Sequence, residues 1–514
     1  MAKHYDVVVL GAGIGALTTA ALLSRRSWRV LVIGQGWRPA AYHYEGVSLA
    51  RRTFTFLAGS SPLWSRVLVE LAQTQTFRRK TTTVTPMFQV LAPKVRLDFA
   101  PDVQAFGKEI DRTFPEVRRV VDDLYAELAR TNAAADAAFE RDAVWPPGTF
   151  WERREAERFG GPIPRFDAGD GPPLLAEFPR AHDYRAVVAV PASFSTRSVD
   201  PPEFAVARLH GAWTRGVVGL HEGEKDLTDF LVDRVDGQGG QTRLNERVGS
   251  IVQRRGRATA VVIDGEDEET GVGFVVTDLG TRSLLDLAID FDPPRRALLA
   301  LPRLTPAERR FVLSVVVRTE GLPALLGEES FLLPAWPGRS GPALPIVHLQ
   351  RRREPCGIDG ATLLVAETMI AEAGDLTLER AREAVLGTLE LLLPYVERHY
   401  LVIDSPHDGR PLWDFRGGAR KDVRRAVVRA TGGSVDPEPM APRWTIDPPS
   451  FHGLAGEPIR TPLAGAFVVG PGTLPSLGQE GELLAAWSAA RLVTRTDRRR
   501  ERMRREMWNK IELG

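Results

Sequence analysis

At 514 residues the chain is long enough for two or three domains around a substantial core. A net charge of +1, with 43% apolar and 26% charged residues, is that of an ordinary globular protein and gives a nucleic-acid role no support. The single cysteine, Cys356, excludes a disulfide framework and any multi-thiolate metal site, and it fits a reducing cytoplasm.

Residues 7–10 are four apolar residues bounded by glycine, the mark of a strand buried on both faces. Residues 14–26 follow with helical spacing. Leu17, Ala20, Ala21 and Leu23 are expected to face a sheet, and the arginines stand at the end that carries the negative dipole. Residues 30–33 form a second buried strand, so strand, glycine turn, helix and strand fit one β-α-β unit of about 30 residues. The uncharged run over 7–23 is broken by Gly11, Gly13 and Gly15, which argues against a signal peptide or a membrane span, and residues 389–395 are too short to span. A cytoplasmic protein without a transmembrane segment is expected.

Further along, 87–99 alternates as a hairpin and 104–130 reads as helices broken near Pro115. Residues 144–202 hold many Pro, Gly and aromatic residues with little periodicity, which predicts irregular structure or a mobile covering segment. A helix over 226–234 is followed by strands over 247–253, 258–263 and 273–277. Then come an amphipathic helix over 381–396, a short strand over 467–469 and a final helix from Gly481.

Gly11-Ala12-Gly13-Ile14-Gly15-Ala16 has the form G-x-G-x-x-A in the context that gives it meaning. The first glycine makes the tight turn, the second admits a pyrophosphate, and Ala16 lets helix and strand pack closely. The helix start offers free N–H groups and a partial positive charge to phosphates. These features predict an α/β chain with a flavoprotein-type Rossmann (FAD/NAD(P)-binding) domain.

From this motif onward the chain resembles the phytoene-desaturase-like branch of the FAD-dependent amine oxidase superfamily. The likeness runs through residues 6–17, Arg38-Pro39, 220–231, 243–252, 274–278 and 468–481. It implies an FAD-dependent oxidoreductase that passes hydride from an apolar substrate to flavin, with desaturation, saturation and isomerisation equally open. It assigns Gly11, Gly13, Ile14, Gly15 and Ala16 to the cofactor, with Val248 against the adenine and Gly470, Leu477, Gly478 and Gly481 along the flavin-contacting loop and helix. It also implies a discontinuous cofactor domain (1–60, 210–290, 445–490), an α+β substrate domain inserted as 61–209 and 291–444, and a separate tail (491–514).

Three departures stand in cofactor-contacting segments. Gly34 replaces the acid expected on the ribose hydroxyls; Ala40-Ala41 replace a glycine pair; and Pro471 replaces an aspartate, removing a carboxylate and an N–H. Losing one charge-assisted hydrogen bond costs about 1.5–3 kcal/mol, so two or three such losses weaken binding by roughly two to six decades. Two readings follow. Either FAD is retained, with Gln35 and Arg38 supplying substitute contacts, or the fold persists as a flavin-free scaffold or partner-binding protein.

No nucleophile, metal or acid–base constellation emerges, and no catalytic residue is assigned. His43 and His452 are candidate general acids or packed histidines, and Glu480 and Glu482 flank the last helix start as ordinary dipole partners. Trp145, Trp151, Trp213 and Trp487 line an apolar pocket or pack the core. In the tail, Met503, Met507, Trp508 and Ile511 form a stripe with arginines off it. Such a helix suits a membrane surface, a partner groove or a solvated cover on the flavin domain.

Overall fold

The computed structural model describes residues 4–167, 173–431 and 437–506, apart from 499 and 503. Its amino-terminal half-turn of architecture is the expected one. Strand β1 (His4–Leu10) pairs in parallel with β2 (Val30–Ile33) on one side and with the strand Thr270–Thr277 on the other. Val7, Val8, Val9 and Leu10 have no exposed surface, because helices cover one face and a separate apolar cluster the other. Helix α1 (Ile14–Arg25) starts directly after the glycine turn and carries Arg25 in its last turn. It packs against the helices Glu224–Asp236 and Gly478–Thr494. The hairpin of Val248–Arg254 and Arg257–Ile263, the strand Gln241–Arg243 and the short strand Ala466–Val468 complete a seven-stranded sheet.

A second sheet of ten strands is built around Arg303–Arg318, a 16-residue strand. It pairs antiparallel with Ala361–Ala371, Tyr400–Asp404 and Ala441–Asp447. The run from Phe311 to Val317 is buried throughout, which suits β-branched side chains covered on both faces. Helix Leu378–Leu392 lays Ala381, Val385 and Leu389 on this sheet at i, i+4, i+8 spacing, all fully buried.

The hairpin β3 (Ala41–Tyr44) and β4 (Val47–Ala50), which follows β2, is anchored on the ten-stranded sheet. Tyr42 donates its hydroxyl to Asp404 Oδ2 at 2.8 Å, and the Ala50 N–H donates to Ser314 Oγ at 2.9 Å. Residues 51–55, which follow, are thereby held between the sheets.

The irregular stretch expected over 144–202 is a correction: it contains the helices Phe150–Gly160 and Tyr184–Ser195. The first starts from a full capping box of Thr149 and Glu152. The second is apolar nearly all round, with Val187, Val188 and Tyr184 buried, so no polar face marked it in the sequence. In the tail, Met507, Trp508 and Ile511, and the side chain of Met503, lie outside the described residues. Two tail arginines turn inward: Arg504 pairs with Asp142 at 2.9 Å, and Arg500 lies over the Trp28 ring and reaches Asp6. No helix among the described residues is long and apolar enough to cross a membrane.

Candidate functional site

The start of α1 is where this fold holds a pyrophosphate, and here it holds a carboxylate. Asp278, at the end of the strand Thr270–Thr277, accepts from the Gly13 N–H through Oδ2 at 2.7 Å. A Cβ on Gly11 would lie 1.7 Å from Asp278 Oδ1, and one on Gly13 would lie 2.8 Å from Oδ2. The carboxylate therefore sits in the space the two glycines leave open. Glu482 lies close enough to feel the Asp278 charge. Burial raises the Asp278 carboxyl to about 6, against the opposing pull of the Gly13 N–H. Burial raises Glu482 to about 7, Arg197 pulls it back, and the Asp278 charge adds to the rise.

At the same carboxyl edge of the sheet, Gln35 occupies both backbone groups of Val248. Its Nε2 donates to the Val248 carbonyl at 2.9 Å, and the Val248 N–H donates to its Oε1 at 2.7 Å. A carboxamide presents a donor and an acceptor side by side, as an adenine edge does. Gln35 adopts a positive φ of 49° to do so. Its neighbour Gly34 has no room for an acid, because a Cβ there would lie 1.9 Å from the Leu244 carbonyl oxygen. Glycine stands at that position because another chain segment crosses it.

The Gly13 N–H and both backbone groups of Val248 are thus taken by the chain itself, and no acid stands at position 34, so the residues present fit the dinucleotide half of FAD poorly. Arg38, the other expected substitute contact, pairs with Glu438 at 3.0 Å. Ile14 and Ala16 pack into the core beneath α1. Gly15 and Gly470 are packing points: a Cβ on either would lie 2.1 Å from a backbone carbonyl, of Val469 and Asp278 respectively. Gly481 lies buried in the first turn of the last helix. Ala40, Ala41 and His43 border a separate groove of about 670 Å³ with Trp37, Lys225 and Cys356.

Leu477 and Gly478 lead to the other half. With Gln479, they border a cavity of about 330 Å³ between the two sheets, closed on other sides by residues 51–55, Phe194, Trp213 and Glu482. Its lining is rich in charge. Arg208 is held by Glu480 and Asp136, Arg215 by Asp136, Arg310 by Glu367, Arg51 by Glu438 and Arg52 by Glu224. Arg197 is different. Among the described residues it has no side-chain hydrogen bond or ion pair, and its Nη1 is buried without a partner. Burial and the nearby Arg310 pull its pKa down to about 10, with Glu482 and Glu367 opposing.

Of the other candidates, His43 and His452 are both exposed, and neither borders this cavity. Trp213 does, whereas Trp145 and Trp487 are core residues and Trp151 is 71% exposed. Glu480 is more than a dipole partner, since Arg208 and Ser61 both bond it in the core. Among the described residues no group of His, Cys, Asp and Glu could hold a metal. Asp278, Gln35 in its actual role, and Arg197 escaped the sequence reading. The one available signal was an acid closing a buried strand at 278.

A model of the NAD(P)-binding Rossmann-like domain matches residues 9–71. No curated protein matches the chain. Among solved structures, an oxidoreductase from Methanosarcina mazei is similar over 94% of this chain and 99% of its own, at 17% identity and a TM-score of 0.56. Cyclohexylamine oxidase from Brevibacterium oxydans is similar over 96% and 99%, at 15% identity and a TM-score of 0.54. A protein from Pyrococcus furiosus covers 95% and 97%, at 16% identity and a TM-score of 0.53. At these identities the likeness establishes the fold: a mixed α/β chain with a Rossmann-like dinucleotide domain, of the architecture seen in oxidoreductases of this kind.

Proposed function

We propose that this chain is a flavin-free relative of the FAD-dependent oxidoreductases and works as a binding protein through the cavity between its sheets. One observation carries the reading. The Gly13 N–H and both backbone groups of Val248, the groups that would receive a dinucleotide, are bonded to Asp278 and Gln35. A dinucleotide would have to displace the Asp278 carboxylate and break the paired bonds of Gln35 before making any bond of its own. Where carboxylate and pyrophosphate would share the turn, like charges add to that cost.

An FAD-dependent oxidoreductase is the second reading. Its support is the fold shared with the Methanosarcina oxidoreductase and with cyclohexylamine oxidase, together with a cavity beside Leu477 and Gly478. The finer desaturase-like form of it, with an apolar substrate, has less support, because six arginines border that cavity. The tail belongs to the proposal only as a cover: the inward contacts of Arg500 and Arg504 favour docking on the protein's own surface over a membrane.

The test is the flavin released on denaturation after purification with excess FAD. We expect none. Close to one flavin per chain would overturn the proposal in favour of the second reading.

A further inference from the structure

The other five arginines around the cavity each pair with a carboxylate, and Arg197 is left over. Arg197 is half-buried, but its Nη1 is buried without a partner, and such a charged nitrogen is normally satisfied by a bound anion or a neighbouring acid. Glu482 borders the same cavity but, among the described residues, makes no ion pair with Arg197. Arg197 is also held in place by its backbone. Its N–H donates to the Pro475 carbonyl, and its carbonyl accepts from Trp444, which fixes it at the junction of three segments. Two residues before it, Ser195 Oγ accepts from Trp213 Nε1 at 2.8 Å, so Trp213 and Phe194 form an apolar wall next to the unpaired cation.

We propose that this cavity is a binding site for a small organic monocarboxylate, with the carboxylate on Arg197 and the apolar body against Phe194 and Trp213. The inference deepens the proposed function and rests on it, since it assigns the ligand class of the same cavity. A single carboxylate serves Arg197, because each of the other lining arginines has an acidic partner. A planar guanidinium takes a planar carboxylate through two parallel bonds. The volume of about 330 Å³ is at the small end for ligand sites and suits a compact molecule.

The experiment uses benzoate as probe, followed by Trp emission and calorimetry on the full chain, with the flavin content of the same preparation measured in parallel. Benzoate is expected to bind, while benzamide, its uncharged isostere, binds about ten- to hundredfold more weakly. Arg197→Gln is expected to reduce benzoate affinity to the benzamide level, with Arg197→Lys between the two. Inorganic phosphate is expected to bind more weakly than benzoate because it has no apolar body. Should Arg197→Gln fail to fold, protection of Arg197 by benzoate against an arginine-selective dicarbonyl reagent, mapped by mass spectrometry in the unmodified protein, supplies the same reading. Equal affinity for benzoate and benzamide, no effect of Arg197→Gln, phosphate as tight as benzoate, no protection, or no binding at all would each overturn the inference. Flavin in the preparation would overturn the proposed function separately, whatever the benzoate result.

Discussion

The glycine turn and the cavity meet near one residue, Glu482, which borders the cavity and feels the charge of Asp278 at the turn. They resolve the same electrostatic problem in opposite ways. At the turn, the N–H groups of a helix start call for an anion, and Asp278 supplies one from within the chain. In the cavity, a guanidinium calls for an anion, and among the described residues no carboxylate pairs with it. A fold built to hold a large dinucleotide across both places can therefore close one half with its own side chains and leave the other half open. The half that closed is the one whose ligand contacts are short and local, so single residues such as Gln35 and Asp278 satisfy them.

Three changes would break or sharpen this contrast, beginning with the largest. Asp278 and Glu482 both have raised pKa values, so between about pH 4 and 7 the folded state holds more protons than the unfolded one. Their contribution is fully present below about pH 4 and is lost as the pH rises through about 6 and 7. Asn at 278 can still accept from the Gly13 N–H but does not ionise. Asp278→Asn should match the native chain near pH 4 and exceed it by about 1–3 kcal/mol at pH 8. Urea denaturation of both proteins at the two pH values measures this, and a constant difference across pH would show that Asp278 is not held near-neutral.

Gln35→Ala removes two hydrogen bonds and leaves a residue at positive φ without its anchor. The expected loss is about 1–2 kcal/mol, read as a lower urea midpoint with unchanged slope. No loss would mean that the Val248 groups find water equally well and that the adenine-like pairing is incidental.

The smallest effect belongs to the cavity. Arg197→Gln deletes a charge that no carboxylate neutralises, so without ligand the variant should be as stable as the native chain or more so, by up to about 1 kcal/mol. A large destabilisation would reveal an internal partner for Arg197 and remove the contrast with the turn.

The β-α-β unit was legible because its signals are local: four buried residues at 7–10, a glycine motif, and helical spacing up to Arg25. The hairpin at Phe88–Ala92 and Val95–Phe99 was legible for the same reason, through alternation. Helix Tyr184–Ser195 was not, since apolar residues surround it and no periodic polar face marks it. At the site, the anomalies at Gly34 and Pro471 were visible, but their meaning was not. Gly34 reads as a lost ribose contact until Leu244 is seen crossing over it.

Sequence alone determined that a dinucleotide-type β-α-β unit opens the chain, since strand, turn and helix are set by neighbouring residues, and that its cofactor motifs are altered. Only the tertiary structure decided what fills those motifs. Gln35 and Val248 are 213 residues apart, and Gly13 and Asp278 are 265 apart. Hydrogen bonds across such separations leave no period or spacing in the chain. They arise when parallel strands bring their ends to one edge of a sheet, and at that edge a carboxylate and a carboxamide took the places of a phosphate and a base.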